Sequence, residues 1–352
     1  MIAPAAAQDP PKLAVGPRRP ERHLHTREAM SKARKNIRPA DSARQIALAL
    51  EGQGAEISAT PTPPTQRIIQ GDCLEVLRAL PDASVDLIVT SPPYADSRRA
   101  TYGGVAPDAY VDWFLPRSHE MLRVLKPSGT FILNIKEKVV NGERHPYVLN
   151  LILALREQGW LWTEEFIWHK KNSYPGKWPN RFRDAWERCL QFNKTRQFYM
   201  DQDAVRVPMG SWAESRLKRL SDTDARRDES RVQSGFGKNV SRWVGRALAY
   251  PTNVLHLATE CANRSHSAAF PEALPDWFIR LFSPARGMVL DPFLGSGTTL
   301  RAAKALGRNG IGIELRPDYC AIAETTVSGD SPAEAREEDS AQSITRAKTA
   351  RR

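Results

Sequence analysis

Short apolar runs, each stopped by a turn and followed by a stretch with helical spacing, recur along this chain and restrict it to a layered α/β fold. Val85-Asp86-Leu87-Ile88-Val89 stops at Thr90-Ser91-Pro92-Pro93-Tyr94, and Met288-Val289-Leu290 runs into Asp291-Pro292-Phe293-Leu294-Gly295-Ser296-Gly297-Thr298-Thr299. Further strands are expected at Arg67 to Gln70, Thr130 to Ile135, Leu161 to His169, Cys189 to Phe192 and Gly310 to Ile313. Helices are expected at Leu74 to Leu80, Tyr110 to Leu125, Tyr147 to Gln158, Pro271 to Phe282 and Thr298 to Leu306. Lys126-Pro127-Ser128-Gly129 reads as a turn, and Gly159 as a helix stop. Strands alternating with helices at this spacing predict a doubly wound, mostly parallel sheet.

The later turn places Gly-x-Gly between a strand and a helix start, where glycine lets backbone approach a ligand closely. It lacks the lysine of a phosphate-cradling loop, which disfavours ATP. Glu314 closes the next strand, 23 positions after Asp291 (314 − 291). A carboxylate there can accept hydrogen bonds from both hydroxyls of a ribose.

The earlier turn suits chemistry on a planar amine. An exocyclic ring amine is a poor nucleophile because its lone pair is delocalised. Methylating it requires acceptors that bond its hydrogens and localise that pair, with the nitrogen held in line with the departing group. Ser91 supplies a side-chain acceptor. Pro92 has no N–H to donate, so its carbonyl is free to face a base, and Tyr94 offers a ring on which an extruded base can stack. The plainer reading of Ser-Pro-Pro is a turn after a strand.

Together the two motifs, in this order, make the chain resemble the amino-methylating DNA methyltransferases, in the β group whose catalytic motif precedes the cofactor motif. The likeness covers roughly Arg67 to Val327. It implies a seven-stranded methyltransferase sheet with an inserted target-recognition region, and S-adenosylmethionine as the nucleoside. In such enzymes the Asp291-Pro292-Phe293 turn with Gly295, Gly297 and Thr298 lies along the methionine and ribose, and Glu314 holds the ribose. Asp72, in the turn after the first strand, reaches the adenine amino group. The segment His266-Ser267-Ala268-Ala269-Phe270-Pro271 precedes the helix over the methionine moiety.

The resemblance also places catalysis on Ser91, Pro92, Pro93 and Tyr94. Ser at the head of this tetrapeptide usually goes with cytosine N4, and Asp with adenine N6; adenine is the alternative. Carbon-5 methylation needs a cysteine nucleophile, typically after proline, and none of Cys73, Cys189, Cys261 and Cys320 follows one. The glutamine-methylating enzymes begin the tetrapeptide with Asn and place it after the cofactor turn, unlike this chain. A DNA-binding protein that kept the fold and lost catalysis is the rival from another class. An RNA or protein methyltransferase is the weaker remaining alternative.

A net charge of +11 favours a polyanionic partner, here double-stranded DNA. His169 to Arg196 carries Lys170, Lys171, Lys177, Arg181, Arg183, Arg188, Lys194 and Arg196 against Asp184 and Glu187, with Tyr174, Trp178, Phe182 and Trp186 interleaved. Such mixtures suit phosphate contact with stacking or wedging. Several of the aromatics are equally suited to the core. Asp96 is either a second acceptor at the base or the partner of Arg98 or Arg99. Sequence readout is expected between Thr195 and Ala262, where Arg216, Lys218, Arg219, Gln233, Lys238 and Arg242 can read base edges or hold phosphate.

The chain therefore divides into a basic tail (1–65), a catalytic half (66–194), a recognition region (195–262), a cofactor half (263–327) and a second tail (328–352). Both tails are expected to be disordered. Asp41 to Leu50 is a candidate short helix within the first, and Thr60 to Thr65 reads as an extended proline-rich linker. Cysteines stand singly, without zinc spacing, which predicts a reducing compartment and no metal. No run approaches the roughly 20 apolar residues of a membrane span, and the start lacks a signal-peptide pattern, so a cytoplasmic protein is expected. The resemblance leaves room for a cognate restriction endonuclease and for a monomer or a homodimer.

Overall fold

The computed structural model describes residues 63–96, 103–173, 176, 179–210, 217, 221, 243–259 and 270–329. Eight strands form the main sheet: β1 (Gln66–Gln70), β2 (Val85–Thr90), β3 (Leu125–Ile135), β4 (Leu161–Lys170), β5 (Trp186–Asn193), β6 (Val254–Leu257), β7 (Met288–Asp291) and β8 (Asn309–Glu314). Their spatial order is β1-β8-β7-β2-β3-β5-β4-β6. Every neighbouring pair is parallel except those involving β5, which runs antiparallel to both β3 and β4. β2 is buried at every position, as a central parallel strand covered on both faces must be.

Among the described residues, six α-helices cover the sheet: α1 (Cys73–Ala79), α2 (Tyr110–Val124), α3 (Tyr147–Glu157), α4 (Ala273–Phe282), α5 (Thr298–Ala305) and α6 (Pro317–Ser328). Strand alternation assigns the two faces. Leu87, Val89, Ile132 and Val289 join Phe278 and Phe282 of α4 and Ala302 of α5 in one cluster. Phe131, one position before Ile132, points the other way and packs its ring 5.2 Å from Trp160 and 5.9 Å from Phe192. On that side Tyr110 of α2 meets Tyr147 of α3 edge to face at 4.8 Å. The doubly wound architecture expected from the sequence is the one observed.

Three boundaries differ from expectation. Lys126 to Gly129 continues β3 through a register shift against β2 instead of turning. A Cβ on Gly129 would lie 2.6 Å from Leu125 and 2.9 Å from the Asp86 carbonyl, so glycine here permits close strand approach. Lys126 Nζ bonds both oxygens of Asp86 at 2.8 Å, fixing the irregularity. Second, the sheet has eight strands where seven were implied. The extra strand β6 lies inside the expected recognition region, and at four residues it is too short for periodicity to reveal. Third, within the expected recognition region Val207–Pro208 and Leu248–Ala249 pair as a small antiparallel ladder of their own, and Val205 just before it joins the core cluster with Phe278 and Phe282 of α4. The candidate helix Asp41 to Leu50 and both expected tails lie outside the described residues, apart from 63–65 and 328–329.

The connections determine where a ligand would sit. β2 leads through α2 to β3 on one side, while the adjacent β7 leads through α5 to β8 on the other. A crevice opens at the carboxyl ends of two neighbouring strands whose connections diverge in this way. Both turn motifs emerge there.

Candidate active site

The carboxyl edge of the sheet carries a row of polar side chains. Across the strand order they are Asp72 just past β1, Glu314 on β8, Asp291 on β7, Thr90 and Ser91 at β2, Asn134 on β3, Glu187 on β5 and Lys170 on β4. Because β5 is antiparallel, its first residues rather than its last reach this edge.

The two motifs are joined directly. Thr90 Oγ1 donates to Asp291 Oδ1 at 2.6 Å, across 201 positions of sequence. Asp291 Oδ1 also accepts from the Phe293 N–H at 3.1 Å, and Oδ2 accepts from Thr299 Oγ1 at 2.6 Å. Burial pushes the Asp291 carboxyl up to about 6, against the pull of those three donors. With this set of partners Asp291 ties β2, β7 and the start of α5 together.

Glu314 is buried at the end of β8. Its Oε2 accepts from the Gly295 N–H at 2.9 Å and its Oε1 from the Arg316 N–H at 3.0 Å. Burial raises its carboxyl above the ordinary value, and those N–H groups work against the rise. With the Leu315 N–H also acting on it, the carboxylate is held by backbone donors and still keeps acceptor capacity among its roughly four lone-pair sites. Gly295 turns with φ 55°, a conformation that favours glycine. Gly297, at φ 90°, is constrained by packing: a Cβ there would lie 3.0 Å from the Ala323 Cα and Cβ on α6. Its glycine lets a helix approach the turn.

Asp72 caps α1, accepting from the Leu74 N–H at 2.8 Å, and its other oxygen accepts from Arg117 at 3.1 Å. The Arg117 guanidinium lies 4.5 Å from the centre of the Trp113 ring, and that ring is 5.8 Å from Phe293. Arg117 Nε is buried without a hydrogen-bond partner. The aromatic pair Trp113–Phe293, with rings inclined at 38°, the Asp72 carboxylate, the Gly295 turn and the Glu314 carboxylate thus offer apolar surface beside acceptors. This donor and acceptor set fits an adenine nucleoside with a vicinal diol.

At the earlier motif, Ser91 Oγ donates to Tyr94 Oη at 3.3 Å, and Tyr94 Oη donates to Glu187 Oε2 at 2.6 Å. Asn134 Oδ1 lies 3.2 Å from the same hydroxyl, and Asn134 Nδ2 donates to Glu187 Oε2 at 3.2 Å. A phenol has one proton to give, and the shorter bond to an ionised acceptor takes it. Burial and the Glu187 charge hold the Tyr94 phenol well above its ordinary range. The Pro93 carbonyl accepts from Tyr110 at 3.0 Å, which anchors the turn to α2.

Several residues expected to face DNA are placed differently. Lys170 Nζ bonds Glu187 Oε1 at 2.5 Å with 18% of its side chain exposed, so it serves the interior of the site. Asp96 pairs with Lys138 at 3.0 Å. Arg188 bonds Glu137 at 2.6 Å and also pairs with Glu165, and Lys194 donates to the Leu125 carbonyl at 2.8 Å. Lys171 and Arg183 are exposed on the loop after β4, where Arg183 donates to the Ser173 carbonyl at 2.9 Å. Arg181 is half-buried beside Phe182, whose side chain is 95% exposed. Arg98, Arg99, Tyr174, Lys177, Trp178, Arg216, Lys218, Arg219, Gln233, Lys238, Arg242, Cys261 and His266 lie outside the described residues.

Sequence reasoning missed Trp113, Arg117, Asn134 and the pairing of Glu187 with Tyr94. The one signal was Glu187 itself, an acid within a basic stretch. Among the described residues no cluster of His, Cys, Asp or Glu could hold a metal, and no helix is long and apolar enough to cross a membrane. Cys73, Cys189 and Cys320 are buried free thiols.

The family model described as DNA methylase (N6_N4_Mtase) matches residues 85–325. The chain is 31% identical over 274 residues to the type II methyltransferase M.PvuII of Proteus hauseri, covering 71% of this chain and 80% of that protein. It is 28% identical to M.BglII of Bacillus subtilis, covering 78% of this chain and 72% of the relative. Among solved structures, the PvuII DNA methyltransferase (cytosine-N4-specific) superposes with a TM-score of 0.56 at 26% identity, covering 75% of this chain and 87% of the other. The Thermus thermophilus protein TTHA0409, complexed with S-adenosyl-L-methionine, gives 0.51 at 27% identity, with coverage of 76% and 95%.

Proposed function

The chain belongs to the N6/N4 DNA methylase family, and from that premise we propose that it forms N4-methylcytosine at a specific sequence in duplex DNA. It is a DNA methyltransferase that uses S-adenosylmethionine as methyl donor. The finer reading is carried by one observation: the serine that begins the catalytic tetrapeptide sits one residue beyond Thr90, which is bonded to the cofactor turn through Asp291. Ser91 accordingly stands where an amine and a methyl donor would meet. A relative bearing the cytosine-N4 designation supports the same choice of base.

The site residues take the following roles. Glu314 accepts from the ribose hydroxyls, Asp72 accepts from the adenine amino group, and Trp113 with Phe293 borders the ring. The sulfonium of the bound cofactor supplies the methyl group. Ser91 Oγ and the Pro92 carbonyl accept from the target amine, and the Tyr94 ring stacks on the extruded base. Phe182, exposed between Arg181 and Arg183, wedges into the duplex while the arginines hold phosphate. The β motif order, with recognition between residues 195 and 262, completes the reading. A restriction endonuclease that cuts the same sequence is the natural partner of such an activity.

Mass spectrometry of nucleosides from DNA treated with the protein tests the choice of base. N4-methylcytosine is the expected product. N6-methyladenine as the sole modified base would overturn the choice and leave the enzyme class standing. Base-resolved sequencing of modified DNA from cells expressing the protein would give the recognition sequence.

A further inference from the structure

Methyl transfer to an exocyclic amine leaves a proton to be removed. As the N–C bond forms and the sulfonium C–S bond breaks, the nitrogen passes through a cationic secondary ammonium and must release one N–H proton to regain its conjugated lone pair. The buried edge of this site contains an oriented path for it. Ser91 Oγ donates to Tyr94 Oη at 3.3 Å, and Tyr94 Oη donates to Glu187 Oε2 at 2.6 Å. Both hydroxyl protons point the same way, which leaves Ser91 Oγ with its lone pairs toward the amine and puts a carboxylate at the far end.

We propose that Ser91, Tyr94 and Glu187 form a proton relay that carries the proton of the methylated amine to the Glu187 carboxylate. The amine gives its proton to Ser91 Oγ while Ser91 passes its own to Tyr94 Oη, and Tyr94 passes its own to Glu187 Oε2. Both hydroxyls end neutral, Glu187 ends as a carboxylic acid, and the methylated amine ends neutral. No oxidant, metal or further reactant is required. Glu187 is a positioning and accepting group that acts through Tyr94, since it does not itself reach the base.

The surroundings suit this direction of transfer. Glu187 is buried, with 5% of the residue exposed. Lys170 Nζ on β4 lies 2.5 Å from its other oxygen and gives the carboxylate a counter-charge. Asn134 on β3 donates to Oε2, and Cys189, two residues along β5, is a buried neutral thiol. Burial, with smaller contributions from the Glu137 and Glu187 charges, holds the Tyr147 phenol on α3 above its ordinary range, so it stays protonated. Arg188, the next residue on β5, bonds Glu137 and Glu165 instead. Because the Tyr94 phenol is also held high, it conducts a proton without resting as tyrosinate. Once Glu187 is neutral, the ammonium of Lys170 has lost its counter-charge, which favours return of the proton to water when product leaves.

The inference rests on Ser91 facing the target amine, and the test separates the two. Single-turnover methyl transfer to DNA would be measured by rapid quench for the wild type, Glu187→Gln, Tyr94→Phe and the double variant, with a pH–rate profile for each. Gln can still accept from Tyr94 but cannot take a proton. Tyr94→Phe keeps the ring and removes only the conducting hydroxyl. Each single variant is expected to slow transfer at least tenfold, with cofactor and DNA dissociation constants within twofold of wild type. The double variant is expected to be no slower than the slower single. The Glu187→Gln profile should differ in shape from the wild-type profile, because glutamine can accept from Tyr94 but cannot take the proton. A folded Glu187→Gln or Tyr94→Phe protein with the wild-type transfer rate would overturn the relay alone, as would losses that multiply in the double variant. If Glu187→Gln does not fold because Lys170 is left unpaired, Tyr94→Phe decides the matter. A wild-type protein that transfers no methyl group to DNA would overturn both the relay and the proposed function.

Discussion

Glu314 is the residue on which the nucleoside reading turns, because backbone N–H groups fix its carboxylate at the end of β8 with acceptor capacity left over. Glu314→Ala should raise the dissociation constant for S-adenosylmethionine at least tenfold, a loss of about 1.4 kcal/mol or more. Calorimetry on the folded variant would measure it, and unchanged affinity would remove Glu314 from the cofactor site. The same reasoning separates Ser91 from its neighbours. Ser91→Ala keeps the proline turn and the Tyr110 anchor on Pro93, so it should lower turnover far more than DNA affinity. A steady-state comparison that found a changed KM with unchanged kcat would contradict that role.

At the scale of an element, Gly297 shows how a motif residue can serve packing. Its φ of 90° and the 3.0 Å approach of Ala323 mean that a side chain strains the turn and pushes α6 away. Gly297→Val should therefore destabilise the protein by about 2 kcal/mol or more. The melting temperature should fall with or without cofactor, as differential scanning calorimetry would record. A variant of wild-type stability that merely bound cofactor weakly would show that the glycine clears space for the ligand instead. The loop between β4 and β5 makes the opposite kind of prediction. Phe182 is 95% exposed, so Phe182→Ala should leave the melting temperature unchanged. It should weaken duplex binding by about 1–3 kcal/mol if the ring stacks or wedges. Fluorescence anisotropy with labelled duplex distinguishes this from a merely solvated ring.

At the scale of the molecule, Asp291 joins two halves of the sheet whose sequences lie far apart. Burial raises its carboxyl from 3.8 to about 6, so between those pH values the folded state holds a proton that the unfolded chain has released. The stabilising contribution is fully present below about pH 4 and is lost as pH rises through about 6. The size of the shift corresponds to a change of about 3 kcal/mol. Asp291→Asn removes that titration. Its stability relative to wild type should improve from pH 4 to pH 7, as paired denaturant titrations would show. A pH-independent difference would mean that the carboxyl is not displaced.

The sequence by itself determined most strands and helices of the core, because burial on a parallel sheet demands short apolar runs, and turns demand glycine and proline. The helix α6, which buries only Cys320 and Ala323, gave no such signal. It also determined both site motifs, since Ser91 to Tyr94 and Asp291 to Thr299 are contiguous and carry their chemistry in residue type and order. What it could not contain were relations between distant segments. Lys170 reads as one more cation in a basic run, and only the antiparallel pairing of β4 with β5 sets it against Glu187. Asn134 reads as the polar end of a strand until β3 is placed beside β2. The four-residue β6 has no period long enough to detect and forms only because β4 presents an open edge. Gly297 reads as a ligand glycine, and only the folding of α6 onto it adds a packing requirement at the same position. Local chemistry is written along the chain, whereas the partner of each buried charge is chosen by the order of strands in the sheet.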